Sequence, residues 1–168
     1  MSRIGLLLAI VMMVTSISMA AGMVGIAESS SPFTIVRGDS QIRTEAGTLT
    51  TIREGDVIRS ADGRVRVQSL AGDAYILDQQ SETALGGDGM LELRRGGVMA
   101  SAAPREKDPA GVSARGLVFR PTAVPEDSSR YTTLAVRLDG PDAVQVTSVQ
   151  GDLKVAGGDD ANPIALIP

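Results

Sequence analysis

Residues 55–70, Gly-Asp-Val-Ile-Arg-Ser-Ala-Asp-Gly-Arg-Val-Arg-Val-Gln-Ser-Leu, constrain this chain more than any other stretch. A short apolar segment leads into Asp62-Gly63 and then into strict alternation. Val65, Val67 and Ser69 fall on one side of the run, and Arg64, Arg66 and Gln68 on the other. A period of two describes a strand with one buried and one wet face. Asp-Gly between two β-like runs predicts a type I′ hairpin, because that turn needs φ > 0 at both central residues. The stretch specifies a fold class and carries no chemistry.

The same grammar recurs along the chain. Phe33-Thr-Ile-Val-Arg reads as a strand closed by Gly38-Asp39, and Leu49-Thr-Thr-Ile-Arg as another that opens after Ala46-Gly47. Ala74-Tyr-Ile-Leu follows Gly72-Asp73 and runs into a polar stretch over 78–83. The glycines of 86–89 break the chain, and Leu91 and Leu93 then alternate with Glu92 and Arg94. Gly-Asp steps begin at 38, 55, 72 and 87, so turns come at nearly constant spacing. Stacked hairpins or the coils of a β-solenoid both produce this. The side chains between the turns do not repeat in type, which favours an all-β sandwich or roll of short antiparallel strands over the solenoid. Residues 33–103 form the main β domain. Residues 104–129, rich in Pro and charge, read as a linker or loop region containing one short strand at 116–120. From 130 to 168 alternation resumes, with Leu134, Val136 and Leu138 on one face, as a C-terminal extension that completes or extends the first sheet. The apolar end at 164–168 is expected to pair as an edge strand or to continue into a longer natural chain.

The N-terminus reads as an address. Arg3 precedes an uncharged run over 4–27, and the first charge after it is Glu28. A positive start, an apolar core and small residues describe a secretory signal. The run is also long enough to span a bilayer as a hydrophobic helix. Small-x-Ala patterns occur at Ser18-Met19-Ala20 and at Gly25-Ile26-Ala27, which makes Ala20 and Ala27 the cleavage candidates. Residues 1–27 are therefore a signal peptide or a signal anchor, and 28–32 a Ser-rich spacer. Either case places the remainder outside the cytoplasm, in the periplasm or at the cell surface.

Composition narrows the function. The chain has no Cys and no His, which removes disulfides, thiolate nucleophiles, Ser-His-Asp catalysis and the common transition-metal sites. Its two lysines, Lys107 and Lys154, both lie in polar segments. Aromatic content of 2% and a net charge of −4 argue against nucleic-acid partners. No carboxylate pair stands in an apolar setting, so no catalytic residue is assigned and the chain is read as no enzyme. The Gly-Asp turns at 86–89 and 157–160 have oxygen ligands but lack the spacing of calcium loops. No metal or cofactor is assigned. The outward arginines Arg59, Arg64, Arg66, Arg94 and Arg95 form the one candidate surface, a face for an acidic protein or an anionic envelope polymer. The plainer reading, which the residues alone favour, is a solvated face that also guards an edge strand.

The order of pieces over 36–103 resembles the FecR-like domain of bacterial extracytoplasmic proteins. The residues that carry the resemblance are Leu49-Thr-Thr-Ile-Arg-Glu-Gly-Asp-Val-Ile-Arg-Ser-Ala-Asp-Gly-Arg-Val-Arg-Val and, later, Leu91-Glu-Leu-Arg-Arg-Gly-Gly-Val. The family's founding regulator joins this domain to a cytoplasmic helical segment that contacts a sigma factor. Only Met1, Ser2 and Arg3 precede the apolar run here, so that role is not carried over. What the resemblance implies is an exported interaction module for a protein or surface of the cell envelope, without catalytic residues. A membrane-anchored sensor is the variant that keeps residues 4–27.

Overall fold

The computed structural model describes residues 22–102, 111–121, 131–157 and 165–167, and every regular element among them is a strand. The chain opens with β1 (Met23–Ser29), the hairpin β2 (Phe33–Arg37) and β3 (Ser40–Thr44), then β4 (Thr50–Arg53) and β5 (Val57–Ser60). Next come β6 (Val65–Ser69), β7 (Ala74–Leu77), β8 (Glu82–Leu85), β9 (Leu91–Arg95) and β10 (Gly97–Ala102). The last third supplies β11 (Val112–Ala114), β12 (Leu117–Pro121), β13 (Thr132–Asp139), β14 (Ala143–Gln150), β15 (Leu153–Gly157) and β16 (Ala165–Ile167).

These strands form two eight-stranded sheets. Sheet A runs β16-β14-β13-β10-β7-β6-β1-β4 and sheet B runs β15-β12-β11-β9-β8-β5-β2-β3. Both sheets advance along the sequence from the same end, because the chain changes sheet after each strand or hairpin. The inward residues meet in one buried cluster, with Ile35, Ile58, Leu91 and Phe119 from sheet B against Val65, Tyr75, Leu77, Leu134 and Val136 from sheet A. Burying each such side chain contributes about 1.5–3 kcal/mol. The arrangement is sandwich-like. All described strand pairs are antiparallel except β9 with β11 and β14 with β16. Coils of a solenoid would stack in parallel, so the regular Gly-Asp spacing marks hairpin turns and sheet-to-sheet crossings instead.

The alternation read from the sequence holds. Val65, Val67 and Ser69 are buried while Arg66 and Gln68 are exposed, and Leu91 and Leu93 are buried while Glu92 and Arg94 are exposed. The Asp62-Gly63 hairpin does not exist. β5 lies in sheet B between β2 and β8, and β6 lies in sheet A between β1 and β7. The segment between them is a crossing, clamped to residues 78–81 of the return crossing. Ser60 Oγ donates to the Asp78 carbonyl (2.5 Å) and accepts from the Ser81 amide (2.8 Å), and the Gln80 amide donates to the Ala61 carbonyl (3.1 Å). Gly63 is not among the residues with positive φ. A Cβ there would stand 2.5 Å from the Ser31 side chain, so close approach rather than turn geometry requires the glycine.

Three boundaries move. Residues 23–27 were expected within the apolar export segment and 28–32 as a spacer. Met23–Ser29 is instead strand β1, paired on both sides, with Ala27 only 1% exposed. The hydrophobic helix expected ahead of it, with Ala20, lies outside the described residues. The expected linker contains two core strands, β11 and β12, in which Val112 and Phe119 are fully buried. The C-terminal strands are integral to both sheets: β13 pairs with β10, and β15 pairs with β12. β16 pairs with β14 as the edge of sheet A, the edge role expected for the apolar end.

Candidate interaction surface

The five outward arginines do not share a face. Arg66 on β6 and Arg64 just before it belong to the outer side of sheet A, whereas Arg59 on β5 and Arg94 and Arg95 on β9 belong to sheet B. Each also has a partner within its own sheet. Arg59 Nε lies 2.9 Å from Glu82, Arg94 2.7 Å from Glu92, Arg66 3.5 Å from Glu28 and Arg64 3.5 Å from Asp78. Arg95 Nε donates to the Gln80 carbonyl at 3.2 Å. Register explains the pairing, since Arg59 and Glu82 are Cα partners across the ladder, as are Glu28 and Arg66. Opposite charges placed directly across two strands attract at no cost in chain geometry. The Glu92 carboxylate, through its hydrogen bond, holds the Arg94 guanidinium further into its charged form.

Following the register across sheet A uncovers a surface that the sequence reading missed. One row of Cα partners runs Glu28, Arg66, Ile76, Met99, Ala135, Thr147 across β1, β6, β7, β10, β13 and β14. Its centre is apolar and half-buried. A second row beside it carries Asp78, which receives Arg64 from one side and Arg137 Nη2 from the other at 3.0 Å. Ile76, Met99 and Ala135 with Arg64, Asp78 and Arg137 line a shallow groove of about 370 Å³, with Gln145 and Thr147 at its far wall. On its other flank Ser101 and Thr133 share a hydroxyl hydrogen bond of 3.1 Å. The available signal was Ala74-Tyr-Ile-Leu, where apolar residues stand on both faces of the strand and alternation alone does not divide inside from outside. Tyr75 and Leu77 enter the core, and Ile76 between them lines the groove.

Sheet B carries a different row. Arg43, Thr34, Arg59, Glu82 and Arg95 are successive Cα partners across β3, β2, β5, β8 and β9. Three guanidinium groups accompany one carboxylate there, with Glu45 beside Arg43 at 3.6 Å. A cleft of about 780 Å³ opens at the other end of the same sheet, walled by Asp88, Glu92, Arg94 and Arg115. The Arg115 guanidinium is committed to the Gly140 and Pro141 carbonyls of the β13–β14 turn.

The Gly-Asp steps serve the fold. Asp56 is 1% exposed, accepts from Arg37 Nε (2.8 Å) and Nη2 (2.6 Å), and caps the turn by accepting from the Arg53 amide (2.9 Å). Asp88, in the glycine-rich segment considered for calcium, accepts from the Met90 amide two residues on (2.9 Å), the geometry of an Asx turn. Among the described residues no three acidic side chains gather to hold a metal ion. The other calcium candidate, 157–160, lies largely outside the described residues.

The fold and surface define a sandwich-like all-β protein whose outer faces carry ion pairs set by strand register. No family model, no curated protein and no solved structure matches this chain.

Proposed function

We propose that this chain is an exported, non-enzymatic, FecR-like interaction module that binds a protein of the cell envelope through the outer face of sheet A. The observation that carries the reading is the half-buried row Ile76, Met99 and Ala135 beside the ion cluster Arg64–Asp78–Arg137. A mixed surface with an apolar centre and a charged rim matches the anatomy of protein interfaces. Arginines already engaged with carboxylates offer less to a polyanion. Export is supported by Arg3 ahead of the uncharged run and Glu28 after it.

A second reading, a binder of anionic envelope polymer, is favoured by the sheet B row, where Arg59 and Arg95 flank Glu82 and Arg43 stands beyond Thr34, beside Glu45. The two readings separate in a capture experiment with solubilised envelope, run with and without prior protease digestion of the extract. The protein reading expects capture to be abolished by digestion and by Ile76→Glu with Met99→Glu, and kept by Arg59→Ser with Arg95→Ser. Capture that survives digestion and disappears in the sheet B variant would overturn it in favour of the polymer.

A further inference from the structure

Two cleavage patterns stand in the export segment, and the fold chooses between them. We infer that signal processing occurs after Ala20, so that the mature chain begins at Ala21 and strand β1 is part of it. The inference rests on the reading of the protein as exported.

The small residues of the second pattern are explained by packing. Gly25 sits beside a register shift in β1, where an added Cβ would stand 2.5 Å from the Gln68 backbone oxygen and 3.0 Å from the Leu85 side chain. Ala27 is 1% exposed, and its strand is hydrogen-bonded to β4 on one side and β6 on the other. Backbone proximity at one position and core burial at the other select small side chains without any peptidase. Cleavage after Ala27 would also remove five of the seven residues of β1. Among the described residues β4 has no neighbour in sheet A other than β1, so it would lose that ladder, and the buried Ile52 the strand beside it.

The same geometry disfavours an uncleaved anchor. The Gly22 carbonyl already accepts from the Glu54 amide at 3.1 Å, which commits the chain to the domain from that residue onward. Residues 4–21 remain for a span, about 27 Å of helix, slightly less than the roughly 30 Å hydrocarbon core. The charged Arg53 and Glu54 would be drawn to the hydrocarbon boundary, where no spacer separates domain from bilayer.

Intact-mass analysis of the chain expressed with its native N-terminus, fractionated into cytoplasmic, membrane and exported pools, tests this. The expected exported species starts at Ala21, and Ala20→Phe is expected to abolish that species and leave the full N-terminus in place. An exported species that starts at Glu28, or one that retains residues 4–21, would overturn the inference while leaving export intact. A full-length chain confined to the cytoplasm would overturn the export reading itself. Ala20 precedes β1 in the sequence, and a thermal melt of the Ala20→Phe chain checks that the domain still folds. A processed Ala20→Phe species starting at Glu28 counts against the inference as well.

Discussion

At the scale of single residues, burial decides which polar groups matter. Asp56 combines a bidentate arginine with a backbone amide, and Arg37 is two-thirds covered. Removing the carboxylate charge leaves a guanidinium and an amide short of a partner. Asp56→Asn is expected to lower unfolding free energy by about 2–3 kcal/mol in urea titrations, whereas Glu28→Gln, whose ion pair is half exposed, should cost under about 1 kcal/mol. Thr83 presents the opposite case, since its hydroxyl is buried without a hydrogen-bond partner among the described residues. Thr83→Val keeps the shape and discards the unmet polar group, so a gain of about 1 kcal/mol is expected in the same titration. Tyr75 crosses the core from sheet A and donates to the Gly89 carbonyl (2.7 Å), with the Gly111 carbonyl 3.3 Å away. Burial first, and the nearby Asp88 charge second, push its ionisation well above the usual tyrosine range. Below pH about 10 the phenol is neutral in both folded and unfolded chains, and the contribution is complete. Above it the unfolded chain releases the proton and the native chain keeps it, so stability falls as pH rises. An absorbance titration of Tyr131→Phe, which leaves Tyr75 as the only phenol, should show ionisation coincident with unfolding. Ionisation in a chain that is still folded near pH 10 would contradict the buried geometry.

At the scale of elements, β1 and β16 mark the two kinds of strand in this fold. β1 is interior, flanked on both sides, and tolerates nothing larger than glycine at position 25. Gly25→Val is expected to destabilise by about 2 kcal/mol or more, seen as a lowered melting temperature, because the obstruction is backbone and cannot rotate away. β16 is a three-residue edge held by one neighbour. Deleting residues 164–168 should lower the melting temperature by only a few degrees, and an unchanged value would exclude the strand from the stable fold. The crossings are elements too. Residues 60–62 and 78–81 hold each other through the Ser60 hydroxyl, which accounts for buried serines at a corner where sequence alone reads only a polar loop.

At the scale of the whole molecule, what was legible in the sequence is what neighbouring residues decide. Alternation at Val65–Val67, Leu91–Leu93 and Leu134–Val136 shows in one strand at a time, because side chains point to opposite faces whatever the partner. The glycine turns were legible for the same reason, as was the exclusion of thiol and imidazole chemistry by composition. Pairing was not legible. Asp62-Gly63 announces a reversal of direction, but whether the next strand hydrogen-bonds to the last or crosses to the facing sheet depends on residues 78–81 and on β2 and β8, which are remote in sequence. The five outward arginines divide for that reason, two on sheet A and three on sheet B, once β5 and β6 part company. Residues 23–27 read as export segment because an interior strand of Val, Gly, Ile and Ala has the same composition, and the structure places them in β1. Period and turn chemistry are local and therefore written in the chain itself. Sheet membership, the groove over Ile76 and Met99, and the first residue the fold can spare depend on contacts between distant segments, and only the tertiary structure decided them.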